Sequence, residues 1–213
     1  MDPGILNAPK LQAIVDAEAA VRAGWRPGDL ARAYLSGGAR VLQVRGKRLP
    51  SGALLALCDD VVAAAAPFGA AVIVNDRADV AAACGAAGVH VGQDDLPPRA
   101  ARAILGPHAI VGFSTHTRDQ IEAALAEPVS YIAVGPVFGT STKDTGYAAV
   151  GLELVRTAAG RAGGRPVVAI GGVTLDRAPS AIGAGASAVA VIADLLQTGD
   201  PEGRVREYCA RLS

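Results

Sequence analysis

Short apolar runs rich in β-branched residues recur along the chain: LQAIV from position 11, VLQV from 41, AVIV from 71, GVHV from 88, AIVGF from 109, YIAV from 131, VVAI from 167 and AVAVI from 188. Each has the length of a strand. Their near-continuous apolarity predicts burial on both faces, as in a parallel sheet covered by helices. Between them the period changes. SGALLALCDDVVAAAA from Ser51, RDQIEAALAE from Arg118 and LDRAPSAIGAG from Leu175 carry the three-and-four spacing of helices with one covered face. Strand and helix therefore alternate throughout.

Eight such units within 213 residues predict an α/β fold, a (β/α)8 TIM barrel at the compact end of its size range. The competitor is a doubly wound open sheet, which often carries GxGxxG after its first strand. LQAIVDAEAAV has no such turn. No linker, charge block or low-complexity stretch divides the chain, so one domain is expected over residues 10–213, with residues 1–9 as an N-terminal tail.

Composition narrows the function classes. Apolar residues make up 51% of the chain but aromatics only 4%, which suits thin layers of small side chains rather than a core of large rings. Lys plus Arg and Asp plus Glu balance at 20 each, and no basic run offers the electrostatic footprint of a nucleic-acid binder. Any anion must then be held by local groups. Cys58, Cys84 and Cys209 are widely separated, in neither CxxC nor zinc-ligand spacing, so reduced thiols are expected. MDPGILNAPK has no signal-peptide pattern. The window GALLALCDDVVAAAAPFGAAVIV is interrupted by Asp59, Asp60 and Pro67, short of the ~20 apolar residues of a membrane helix. The expectation is a cytoplasmic protein acting on small molecules, without nucleic-acid or membrane partners; homo-oligomer formation stays open.

A barrel places its active site where the loops after the strands converge. The residues following each run are Asp16 after the first, Gln43, Arg45 and Lys47 after the second, and Asn75 and Asp76 after the third. Gln93, Asp94 and Asp95 follow the fourth, Ser114 and His116 the fifth, and Thr140, Thr142 and Lys143 the sixth. Gly171 and Gly172 follow the seventh, and Ile192, Ala193 and Asp194 the eighth. Asp76 and Asp95 could each serve as helix caps. Capping has no use for Arg or Lys, however, and Arg45, Lys47 and Lys143 present cations from different loops, an arrangement that gathers a polyanion. Carboxylates facing them cannot bind phosphate directly but can hold Mg²⁺, which favours one or two carboxylates together with phosphate oxygens. Mg²⁺ with diphosphate is the expected pairing. A second anion site is suggested by Gly171 and Gly172 with VIADLL from Val191, since barrels commonly bind phosphate after strands seven and eight. A plain tight turn would explain the glycines equally well.

QVRGK at 43–47, VNDRADVA at 74–81, GVHVGQDD at 88–95, GFSTHT at 112–117, GPVFGTSTK at 135–143, AIGGV at 169–173 and AVAVIA at 188–193 resemble, in order, the motifs of the thiamine phosphate synthase family. The resemblance covers nearly the whole chain. It implies an Mg²⁺-dependent transferase that joins 4-amino-2-methyl-5-hydroxymethylpyrimidine diphosphate to a thiazole ethyl phosphate, plain or 2-carboxylated, giving thiamine phosphate and diphosphate. It also implies that Gln43, Val44, Arg45, Gly46, Lys47, Asn75, Ser114 and Lys143 bind the pyrimidine diphosphate, with Arg45, Lys47, Ser114 and Lys143 serving catalysis. Asp76 and Asp95 would hold Mg²⁺. Thr140, Ser141, Thr142, Gly172, Ile192 and Ala193 would lie against the thiazole phosphate.

No general base is essential to such a displacement, so His90 is expected to be a strand residue and His116 a residue at a helix start or one that supports the groups touching the substrate. The chain departs from the family pattern where Ala193 replaces a usual Ser, where Gly139 replaces a common Pro, and around LQAIVDAE. Two rivals stand beside this reading. One is a thiazole tautomerase relative, which typically loses the TSTK segment; the other is a noncatalytic phosphometabolite-binding barrel, which would not need a metal for a leaving group.

Overall fold

The computed structural model describes residues 10–139 and 148–213. Thr140, Ser141, Thr142 and Lys143, and the tail at 1–9, lie outside the described residues. Eight parallel strands close on themselves in chain order, from β1 (Leu11–Asp16), β2 (Val41–Arg45), β3 (Ala71–Asn75) and β4 (Gly88–Val91) to β5 (Ile110–Thr115), β6 (Tyr131–Val134), β7 (Val167–Ile170) and β8 (Ala188–Val191), which pairs back with β1. The expected eight-stranded barrel is observed, with every strand in its expected run.

Around it lie α1 (Ala17–Arg22), α2 (Pro27–Ser36), α3 (Ser51–Ala65), α4 (Ala78–Ala83), α5 (Pro98–Leu105), α6 (Arg118–Leu125), α7 (Gly151–Arg161), α8 (Ala178–Gly183) and α9 (Pro201–Leu212). The stretch Ser51–Phe68 is, by length and composition, apolar enough to cross a membrane, contrary to the expectation drawn from Asp59, Asp60 and Pro67. In the fold it is α3 with a 3-10 turn after it, and Leu54, Cys58, Val61 and Ala65 are buried, the stripe of a helix covering a sheet.

Two distinct cores explain the strand sequences. Leu42, Val44, Val72, Val74, Val89 and Val111 point outward into the layer between sheet and helices, while Ile14, Val41, Ile73, Ile110, Tyr131 and Val168 fill the barrel interior. Successive strand residues face opposite ways, so the interior series continues upward as Asp16, Gln43, Arg45, Asn75, His90 and Ser114. Polar groups therefore converge at the C-terminal end of the barrel. Tyr131 is the large interior side chain, and Gly112 beside it in the register has no room for more: a Cβ there would lie 2.1 Å from the Tyr131 ring.

Candidate active site

The cavity at the C-terminal mouth is lined by Gln43, Arg45, Asn75 and Ser114 on one side and by Gly172, Ile192 and Ala193 on the other. Seven residues proposed from the sequence thus share one wall-to-wall space. Arg45 is aimed by Asp16, which pairs with it directly across the β1–β2 register and also caps α1 by accepting from the Ala19 N–H at 2.8 Å. The helix capping expected of the rim acids falls to this residue. Among the described residues, Arg45 Nε and Asn75 Nδ2 are buried donors without a protein partner. Buried donors cost free energy when unpaired, and both of these side chains belong to the cavity lining.

Val44 and Gly46 are placed differently. The Val44 side chain is fully buried in the outer core, turned away from the cavity, and a Cβ on Gly46 would strike Leu49 at 2.7 Å. Only their backbones are available to a ligand.

Asp76, Asp95 and Lys47 form a group at the rim, outside the cavity lining. Asp76 has φ +65° and is spanned by a hydrogen bond from the Arg77 N–H to the Asn75 carbonyl at 2.8 Å, a tight three-residue turn that non-glycine residues seldom adopt. Asp76 does not cap α4, whose cap position is Arg77 with no side-chain bond. The strained turn instead turns the carboxylate toward Asp95 and Lys47, whose Nζ lies 3.2 Å from Asp76 Oδ2. Burial, together with the hydrogen bond and charge of Asp95, raises the Asp76 carboxyl above its ordinary range, against the opposing pull of Lys47. Asp95 is oriented by the Gly92 N–H, which donates to it at 2.7 Å.

This donor set fits a hard divalent cation. Two adjacent carboxylates repel when both ionise, and a cation between them relieves that repulsion. Among the described residues no three His, Cys, Asp or Glu side chains gather for a metal; Mg²⁺ needs only one or two carboxylates when substrate phosphate and water supply the rest.

The opposite wall is built by backbone. Gly171 and Gly172 have φ +95° and +62°, and a Cβ on Gly172 would meet the Gly139 carbonyl at 2.4 Å. The glycines are thus required by the close approach of the loop after β6, which zips onto β7 through Val137 N–H to Ile170 O at 2.8 Å and Phe138 N–H to Gly171 O at 2.9 Å. Beside them Asp194, 4% exposed, accepts from Leu175 N–H (3.2 Å), Arg204 Nε (3.1 Å) and Nη2 (2.9 Å), and Tyr208 OH (2.7 Å). It ties the loops after β7 and β8 to α9.

Asp194, His90 and His116, none of them expected to act on the substrate, all line the cavity. His116 lies in the turn before α6, its N–H donating to Gln120 Oε1 at 2.7 Å and its Nδ1 2.5 Å from the Gly135 carbonyl. His90 is the strand residue expected, with its ring turned inward.

The family model described as thiamine monophosphate synthase matches residues 11–195. The chain belongs to this family. A thiamine-phosphate synthase of Koribacter versatilis is 41% identical over 208 residues, 95% of each chain. One of Mycolicibacterium paratuberculosis is 47% identical over 177 residues, covering 78% of this chain and 79% of its own. Among solved structures, the thiamine phosphate pyrophosphorylase of Pyrococcus furiosus superposes with a TM-score of 0.86 at 28% identity, over 99% of this chain and 96% of that one. The similarity to thiamine monophosphate synthases thus extends along the strands and loops that form the mouth of the barrel.

Proposed function

We propose that this chain is a thiamine-phosphate synthase. It condenses 4-amino-2-methyl-5-hydroxymethylpyrimidine diphosphate with a thiazole ethyl phosphate and releases diphosphate. Beyond family membership, one observation carries the reading: the cationic and amide side chains of Arg45 and Asn75 line the same cavity as Ser114 and Gln43, and its far wall is the glycine and backbone surface of the β7 and β8 loops. Cationic and amide donors suit the diphosphate. Backbone N–H groups near Gly172, Ile192 and Ala193 suit the monophosphate of the second substrate.

In the reaction the bond from the pyrimidine methylene carbon to the diphosphate oxygen breaks, its electron pair leaving with diphosphate, and the thiazole nitrogen supplies the pair for the new C–N bond. Arg45, held rigidly by Asp16, and Lys47 stabilise the charge that grows on the departing oxygen, which is where an interaction accelerates chemistry rather than merely tightening binding. Asn75 and Ser114 orient the diphosphate end, and Gln43 contacts the pyrimidine diphosphate beside them. Lys143, Thr140, Ser141 and Thr142 are assigned here from the family motif alone. Mg²⁺ held by Asp76 and Asp95 would neutralise diphosphate charge. The substrates are small molecules, and a cytoplasmic setting agrees with that chemistry.

The test is a two-substrate assay on the purified chain, reading thiamine phosphate and diphosphate together. Both products should appear only with both substrates and Mg²⁺, and chelator should abolish them. Binding of either substrate without turnover would favour a noncatalytic phosphometabolite-binding barrel, and isomerised thiazole without joining would favour a tautomerase.

A further inference from the structure

Beneath the cavity a chain of polar groups crosses the barrel interior. Gln12 on β1 donates through Nε2 to the Tyr131 phenol oxygen at 3.3 Å. That oxygen lies 2.8 Å from His90 Nδ1, and His90 Nε2 lies 2.8 Å from Ser114 Oγ. The His90 and Tyr131 rings also stack, with centroids 5.5 Å apart and planes 25° from parallel. Tyr131 is wholly buried, and Gln12 and His90 are 2% and 6% exposed. The chain therefore runs where water cannot substitute for a missing partner.

One donor-to-acceptor direction runs continuously along it. An amide N–H₂ can only donate, so the phenol oxygen accepts from Gln12. Burial pushes the Tyr131 phenol upward, so it keeps its proton, and in that direction His90 Nδ1, 2.8 Å away, is the acceptor. A ring nitrogen that accepts carries no proton, which leaves the proton of neutral His90 on Nε2. Nε2–H then donates to Ser114 Oγ. Having accepted there, the serine hydroxyl has its own hydrogen left to donate, and Ser114 lines the cavity.

We propose that Gln12, Tyr131 and His90 are positioning residues that lock His90 in its Nε2–H tautomer and so present Ser114 as an outward hydrogen-bond donor to an anionic oxygen of the pyrimidine diphosphate. The inference rests on the reading of the cavity as the diphosphate site. It assigns a purpose to interior groups that the displacement chemistry does not itself use: the relay frees the serine proton for an acceptor such as a phosphate oxygen.

The experiment joins nitrogen-15 NMR of His90 in the full-length protein with kinetics of Tyr131→Phe, Ser114→Ala and the double variant. Wild-type His90 should show a protonated Nε2 and a lone-pair Nδ1, and Tyr131→Phe should lose that single tautomer. The KM for the pyrimidine diphosphate should rise about tenfold in either single variant, the size expected for one hydrogen bond to a charged group, with the KM for thiazole phosphate within about twofold of wild type. The double variant should be no worse than Ser114→Ala, because Tyr131 acts through Ser114. A wild-type Nδ1–H tautomer, or additive losses in the double variant, would overturn the proposal. Should Tyr131→Phe fail to fold, the wild-type tautomer alone decides. The NMR readout needs no substrate, so a protein with the expected tautomer but no synthase turnover would refute the assigned reaction and leave the relay standing.

Discussion

Replacing Asp194 with Ala tests whether the loops after β7 and β8 are held by one buried carboxylate. The side chain accepts four hydrogen bonds, from Leu175, twice from Arg204, and from Tyr208. Removing one member of a buried charged pair costs about 3–5 kcal/mol because the other is left uncompensated. Here Arg204 is 17% exposed at its side chain and keeps Glu207 at 2.8 Å, which softens the loss. Among the described residues Tyr208, with no exposure, has Asp194 as its hydrogen-bond partner, and an orphaned buried hydroxyl costs about 1–3 kcal/mol. The lower end of the pair estimate, about 3 kcal/mol, follows. For a chain of this size a kilocalorie moves the melting temperature by about 2–4 °C, so thermal unfolding should occur about 6–12 °C lower. Because Ala193 and Leu175 both depend on this anchor, the KM for thiazole phosphate should also rise about tenfold while that for pyrimidine diphosphate changes less than about twofold. Calorimetry and initial-rate kinetics measure both. A melting temperature within about 2 °C of wild type, or equal effects on both substrates, would refute the reasoning.

Asp76→Asn should reduce turnover at least about a hundredfold, the effect of losing ~3 kcal/mol of transition-state stabilisation, with an unchanged circular dichroism spectrum. Gly112→Ala forces a methyl against Tyr131 at 2.1 Å and should lower the unfolding free energy by about 3 kcal/mol or prevent folding, as overpacked cores do; denaturant titration reads it. Burial, and secondarily the Cys84 thiol, pushes the Cys58 thiol from 9.0 up to about 12. Its folded-state value is raised, so this contribution is fully present below pH about 9 and is lost as pH rises toward 12. The urea midpoint should fall across that interval, less steeply in Cys58→Ala.

The barrel was legible because its signal is repeated: every strand is apolar over a strand's length, and the helices between carry a different period. The first crossover was not read, because Gly24 and Pro27 break AEAAVRAGWRPGDLARAYLS into α1 and α2, neither presenting a long stripe. The α8 helix begins at Ala178, with Pro179 in its first turn, rather than at Leu175, whose N–H is bonded by Asp194, a partner nineteen residues away. The rim residues Arg45 and Asn75 were visible as polar groups after apolar runs. What periodicity could not supply was facing. His90 reads as an ordinary strand residue until β4 is closed against β6, where Tyr131, 41 residues later, becomes its partner. Asp194 likewise acquires meaning only when α9 brings Arg204 and Tyr208 against it. The Asp76 turn was hidden because its signal is a backbone angle rather than a residue type.

The most direct measurement is a crystal structure of the protein with Mn²⁺ in place of Mg²⁺ and both reaction products bound. An anomalous peak should sit between Asp76 and Asp95 and touch diphosphate oxygens, with Arg45 and Ser114 against the same diphosphate and thiamine phosphate directed toward Gly172 and Ala193. Metal or diphosphate bound elsewhere, with the mouth of the barrel empty, would contradict the account.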